Sequence, residues 1–177
     1  MSTDDDRTQR TTPPTARPAP AARWRAVPAA DAPDPPLIER VTRRVWVVLG
    51  GVTIADTRRA LCIREGDRAP VFYIPREHVR QEHLSPSGLR TWSASRGMAS
   101  YVDAKVGDRH VREAAWFYPA PAPGCEALAG HLAFFPGKMD ACYVDGARVL
   151  TRPGDASGGW VTGETAARSP RAPGARG

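Results

Sequence analysis

The chain holds two lysines, four histidines and three cysteines among 177 residues, and each scarcity excludes a class of function. Cys62, Cys125 and Cys142 are odd in number and widely spaced, with no C-x-x-C pair, so neither a disulfide framework nor a zinc ribbon is written here. Each reads as a small apolar side chain packing in a reducing compartment. His78 and His83 stand five apart, off the i, i+4 spacing that puts two ligands on one helical face. His110 and His131 are isolated, so no metal site is expected. No apolar run approaches a membrane span, and the N-terminus lacks the apolar stretch of a secretory signal. The reading is a soluble, cytoplasmic protein with no membrane partner. Within residues 37–150 a phosphate loop of the form G-x-x-x-x-G-K-[ST] and a D-x-D carboxylate cluster for Mg²⁺ are also missing, and no cofactor is expected.

Charge is present but not clustered. Arg plus Lys against Asp plus Glu runs six to six over residues 1–42, fifteen to eleven over 43–150 and four to two beyond, for a net charge of +6. No segment carries a basic run, which argues against nucleic acid as a partner. Proline and glycine are plentiful, 18 and 16 residues, and unevenly spread. Residues 1–36 are rich in Pro and Ala with almost no aliphatic side chains to bury, so they cannot offset the entropy of ordering and read as a disordered leader. Residues 151–177 read as a loose Gly-, Pro- and Arg-rich tail, in which Trp160 alone is a candidate to pack back on the core. Residues 37–150 remain as a domain long enough to bury a core.

Within that domain the apolar period is two. Val45, Val47 and Leu49 share one face of a strand, and Gly50-Gly51 turns the chain into Val52–Ala55, which makes a hairpin. Ala60–Arg64 and Val71–Ile74 follow, the latter ended by Pro75, and residues 76–83 suit one helical turn. Thr91–Met98 reads as a polar loop. Tyr101–Val106 and His110–Tyr118 are strands joined at Gly107-Asp108, with Ala114, Trp116 and Tyr118 on one face and Ala115 and Phe117 on the other. Pro119, Pro121 and Pro123 form a stiff exit. Leu128–Phe135 reads as a strand stopped by Pro136-Gly137, and Asp145-Gly146 joins Ala141–Val144 to Ala147–Leu150. About seven to nine short strands without a long amphipathic helix predict a compact, antiparallel all-β domain.

The candidate site gathers around Leu89–Pro121. Arg96 and Gly97, with Ser93, offer a guanidinium and backbone amides to a phosphate or carboxylate, or else Gly97 only permits a turn. Tyr73, Trp116 and Tyr118 either wall a pocket for a planar ligand or fill the core with their polar ends satisfied. Arg76 follows Pro75 at a strand end, where a rigid scaffold hands a side chain to a cleft, or where it forms a surface salt bridge with Glu77 or Glu82. In an enzymatic version Tyr101, Tyr118 or Asp140 would move a proton. Asp56, in IADTRR, better suits an Asx turn.

The runs RVWVVLGGVTIADTRRAL, VFYIPREHVR, TWSASRGMASYVD, AAWFYPAP and GHLAFFPGKMDACYVDG follow one another in this order. Together they resemble the bacterial family filed as domain of unknown function 427. That resemblance implies a β-fold related to the β-tent folds, in which sheets meet at an angle and leave a cleft. The family also carries a nucleotidyltransferase-like label. Its polar loop commonly reads T-x-C-P-Y-K-G, where this chain has Thr91-Trp92-Ser93-Ala94-Ser95-Arg96-Gly97. Ser93 therefore stands at a thiol position and Arg96 at a lysine position, a change that disfavours thiol or amine chemistry and keeps anion binding. Gly158-Gly159-Trp160-Val161-Thr162 looks like the remnant of a longer C-terminal extension seen in some members. The expected function is a small-molecule binding domain that takes an anionic or planar ligand in a cleft between sheets, in one version an enzyme of secondary or nucleotide metabolism. A nucleotide-handling transferase and a non-catalytic protein-interaction module are the alternatives, and an oligomer is left open.

Overall fold

The computed structural model describes residues 36–66, 68–151 and 158–164. The disordered leader expected over 1–36 lies, but for its last residue, outside the described residues, as do 152–157 and 165–177 of the tail. The described residues contain eleven strands: β1 (Leu37–Val41), β2 (Val45–Leu49), β3 (Val52–Thr57), β4 (Ala60–Arg64), β5 (Val71–Pro75), β6 (Leu84–Ser93), β7 (Gly97–Val106), β8 (Arg109–Phe117), β9 (His131–Phe134), β10 (Ala141–Val144) and β11 (Ala147–Arg148). They form a seven-stranded sheet in the order β1-β4-β5-β9-β8-β7-β6 and a four-stranded sheet in the order β11-β10-β2-β3. Every strand pair is antiparallel, as the all-β reading requires.

Strand alternation decides what is buried. In β2, Val45, Val47 and Leu49 are fully buried while Trp46 and Val48 are half-buried. The buried face meets the large sheet across a core that includes Ile54, Phe72, Ile74, Leu132 and Phe134. The other face of the large sheet is covered too, because Leu61, Ile63, Tyr73 and Trp116 pack with Cys125 and Leu128 from the segment after β8. Burial on both faces explains why β4 and β5 read as continuous apolar runs. Gly50-Gly51 (φ +57° and +73°) and Asp145-Gly146 (φ +47° and +85°) make the tight hairpin turns their types predict.

Several expectations are corrected. The polar loop over Thr91–Met98 is the end of a hairpin, since β6 pairs with β7 from Leu84–Ala104 to Ser93–Gly97 and leaves only residues 94–96 as the turn. Between Pro86 and Arg90, β6 takes four steps while β7 takes two from Val102 to Ser100, so β6 bulges by two residues. Pro86 is tolerated because β6 is an edge strand. A complementary bulge in β8 is centred on Glu113 (φ +48°), whose amide donates to Asp103 Oδ1 at 2.7 Å. Lys138 Nζ donates to the carbonyls of Arg112 and Glu113 at 3.0 and 2.9 Å and pins the same bulge. The bulge breaks the expected face-sharing: Ala114 packs with Ala115 in the first core, whereas Trp116 and Tyr118 lie in the second. Residues 76–83 form two 3-10 turns, Arg76–His78 and Gln81–His83, instead of one helical turn. β9 starts only at His131, after a 3-10 turn at Glu126–Leu128.

Of the described tail residues, Trp160 and Thr162 are buried, while Thr151, Gly163 and Glu164 are exposed. Trp160 is completely buried, its ring 5.4 Å from that of Phe72, and its indole Nε1 donates to the Phe134 carbonyl at 3.2 Å. Its amide donates to the Pro70 carbonyl at 2.7 Å, and the Leu150 amide donates to the Val161 carbonyl at 2.6 Å. The two preceding glycines are steric requirements. A Cβ on Gly158 would fall 2.1 Å from Trp116 Cη2, and one on Gly159 would fall 2.6 Å from Ala69 Cβ.

Candidate functional site

Pro75 ends β5 and hands Arg76 to the first 3-10 turn, beside a cleft of about 220 Å³ at the β6 end of the large sheet. The cleft is bounded by Arg76 and Gln81, by both sides of the β6 bulge including Arg90, and by Ser100, Val102 and Phe117. None of its lining residues comes from the four-stranded sheet, so it is not a cleft between sheets. The bulge forms its rim, where Gly88 takes a φ of +81° and the Leu89 amide donates to Ser87 Oγ at 3.2 Å.

Arg76 is held in place. Its Nε donates to Gln81 Oε1 at 3.0 Å, Gln81 Nε2 donates back to the Arg76 carbonyl at 2.8 Å, and the guanidinium lies 5.2 Å from the centre of the Phe117 ring. The salt bridge with Glu77 or Glu82 is not formed; Glu77 pairs with Arg59 instead. Among the described residues neither Arg76 nor Arg90 reaches a carboxylate at ion-pair distance, and no carboxylate lines the cleft. The result is two guanidinium charges above a floor of Leu84, Val102 and Phe117. Such a site can hold an anion by charge-assisted hydrogen bonds while its carbon part rests on apolar surface.

Arg96 belongs to a different place. The 94–96 turn folds onto the segment after β8, where the Ala122 amide donates to the Arg96 carbonyl at 2.9 Å and Cys125 Sγ donates to the Ser95 carbonyl at 3.4 Å. Gly97 (φ +93°) allows this approach, because a Cβ there would stand 3.3 Å from the Ala120 carbonyl oxygen. The Arg96 side chain is 17% exposed, is ion-paired with Glu65 and lies against Tyr73 and Tyr118. Burial pulls its pKa down, but Tyr73, Glu65 and Tyr118 more than offset that, so the charged form is held. Its Nε is buried without a partner among the described residues. Burial also lifts the Tyr73 phenol well above the ordinary tyrosine range, and Trp116 Nε1 donates to the Tyr73 hydroxyl at 3.3 Å. Tyr73, Trp116 and Tyr118 are thus core aromatics with ring centroids 6.2 and 6.5 Å from Tyr73 to its two neighbours.

The sequence candidates therefore separate. Arg76 and Tyr101 border the cleft, although the Tyr101 ring stacks on Phe135 at 6.4 Å and its hydroxyl bonds Thr91 Oγ1 at 2.9 Å. Tyr73, Arg96, Trp116 and Tyr118 come together around the second core, with Ser93 and Gly97 flanking the turn beside it. Asp140 stands apart from both, accepting the Gly51 amide at 3.3 Å and pairing with Arg109 at 3.6 Å. Asp56 pairs with Arg44 at 2.6 Å, and that hydrogen bond lowers its pKa. Sequence reasoning missed Arg90 and Gln81, which nothing but the β6 bulge and the second 3-10 turn brings to the cleft. Cys62, Cys125 and Cys142 are buried, and burial raises all three thiols, which leaves them protonated at neutral pH.

Residues 37–145 match a family described as a domain of unknown function, DUF427. No curated protein matches the chain. Among the described residues no helix is long and apolar enough to cross a membrane.

Proposed function

We propose that this chain, which belongs to the DUF427 family, is a small-molecule binding domain that takes an organic anion in the cleft beside β6. The observation that carries this reading is the pair Arg76 and Arg90 in one cleft without a carboxylate, above an apolar floor. A guanidinium lacking a counter-ion is a ready receptor for a carboxylate or phosphate, and its planar fork can bind either bidentately. The clasp of Gln81 and Phe117 on Arg76 means little side-chain freedom is lost on binding. At about 220 Å³ the cleft falls below the roughly 300–1,000 Å³ of pockets that enclose drug-sized ligands. The ligand is accordingly small, with a planar or short apolar body, and is not a whole nucleotide.

The reading assigns binding and no catalytic step. The Tyr101 hydroxyl is engaged by Thr91, Tyr118 is buried in the second core, and Asp140 holds the β2–β3 hairpin. The test is thermal-shift screening of the full chain with small carboxylates, inorganic phosphate, nucleotides and divalent metals, repeated on Arg76→Gln and Arg90→Gln. A ligand that binds only the native state raises the melting temperature by mass action. Stabilisation by a planar carboxylate such as benzoate, reduced in both variants, supports the cleft. Stabilisation that needs a nucleotide with Mg²⁺, or stabilisation by benzoate that survives in both variants, overturns it.

A further inference from the structure

We propose a second anion site, independent of that cleft, in a groove of about 510 Å³ between β1, the β3–β4 connection and the turn before β9, and we assign it to a phosphate monoester. Antiparallel pairing sets Arg40 of β1 opposite Leu61 of β4, which brings it beside Arg58 and Arg59 in the connection. That connection is fixed by Thr57, whose Oγ1 accepts the Arg59 amide at 2.9 Å and bonds His78 Nδ1 at 2.6 Å. Of the three guanidiniums, Arg59 is neutralised by Glu77. Arg40 and Arg58 are exposed and reach no carboxylate at ion-pair distance among the described residues. Glu77 also borders the groove but is taken up by Arg59, which leaves the lining net positive.

His131 borders the groove but adds no donor to it: its Nδ1 donates to the Ala129 carbonyl at 3.0 Å, and in that tautomer Nε2 carries only a lone pair. A phosphate monoester presents two negative charges and three acceptor oxygens to the two guanidiniums. Its organic part has Val41 and Leu61 to rest on. The groove lies within the size range of small-molecule sites, and Arg40 and Arg58 take no part in the cleft of Arg76 and Arg90, so either site can fail without the other.

The experiment is titration calorimetry of the full chain at low salt with inorganic phosphate, a hexose phosphate and succinate. It is run on wild type, on Arg40→Gln/Arg58→Gln and on Arg76→Gln/Arg90→Gln, with melting curves to show that both variants fold. The expected result is saturable binding of the hexose phosphate, weakened about tenfold or more by Arg40→Gln/Arg58→Gln, the size of a lost charge-assisted hydrogen bond. The same affinity should be unchanged in Arg76→Gln/Arg90→Gln. Tighter binding of succinate than of the hexose phosphate in Arg76→Gln/Arg90→Gln, where the first cleft is disabled, overturns the phosphate assignment. No saturable binding of either phosphate, or an equal loss in both double variants, overturns the site.

Discussion

Trp160→Ala is the sharpest test of how the fold is completed, because Trp160 lies beyond the family match at residues 37–145 and yet fills the first core. The side chain is wholly buried, tilts against Phe72 at 5.4 Å and donates its indole hydrogen to the Phe134 carbonyl at 3.2 Å. A buried tryptophan withdraws roughly 150–250 Å² from water. At roughly 25 cal/mol per Å² that is worth about 4–6 kcal/mol. Core Trp→Ala substitutions cost about 3–5 kcal/mol, since partial collapse of the cavity offsets some of the loss. Against a total stability of about 5–15 kcal/mol, the variant should fold with a much lower urea midpoint and an unchanged m-value. Trp160→Phe, which keeps a ring and loses only the hydrogen bond and part of the area, should lose clearly less. A Trp160→Ala midpoint corresponding to under about 1 kcal/mol would refute the reasoning, because it would mean the Gly158–Thr162 segment does not hold the core together.

Gly158→Ala forces a methyl into Trp116, 2.1 Å from Cη2, and should cost about 1–3 kcal/mol by urea denaturation, whereas Gly51→Ala meets no neighbour and pays only for its positive φ. Glu65→Gln leaves the Arg96 charge unpaired in a site where Arg96 is 17% and Glu65 30% exposed; a loss of about 1–3 kcal/mol is expected, less than for a fully buried pair. The three thiols give a pH dependence. Burial raises each folded-state pKa above the ordinary value of 9.0, so the folded chain keeps protons that the unfolded chain releases. Their contribution is fully present below pH 9 and is lost as pH rises above it; urea midpoints should fall from pH 8 to pH 10, and Cys142→Ala should flatten that fall.

The hairpins were legible because their signals are local. Alternating Val45, Val47 and Leu49 next to Gly50-Gly51, and Cys142 and Val144 next to Asp145-Gly146, state both the face and the turn within a few residues. β6 was not legible: Pro86, Gly88 and a two-residue bulge erase its alternation, and only pairing with β7 makes it a strand. The Trp160 contact was visible as one bulky side chain in a polar stretch. The glycines before it read as looseness, since nothing in the chain order shows that Trp116 and Ala69 press on them. At the candidate site, Arg76 was legible from the strand-ending Pro75, and the core alternative for Tyr73, Trp116 and Tyr118 is the one their burial supports. Arg90 had no signal, and the Arg96–Glu65 pair joins residues that only the fold brings together.

The most direct test of the proposed binding role is the nitrogen-15 spectrum of the arginine side chains during titration of the full chain with benzoate. Assignment by Arg76→Gln, Arg90→Gln and Arg96→Gln would separate the three resonances of interest. The account predicts that the Arg76 and Arg90 Nε signals shift and saturate with one common affinity while Arg96, held by Glu65, stays in place. If Arg76 and Arg90 stay still across the titration, or if Arg96 alone responds, the cleft beside β6 is not the binding site.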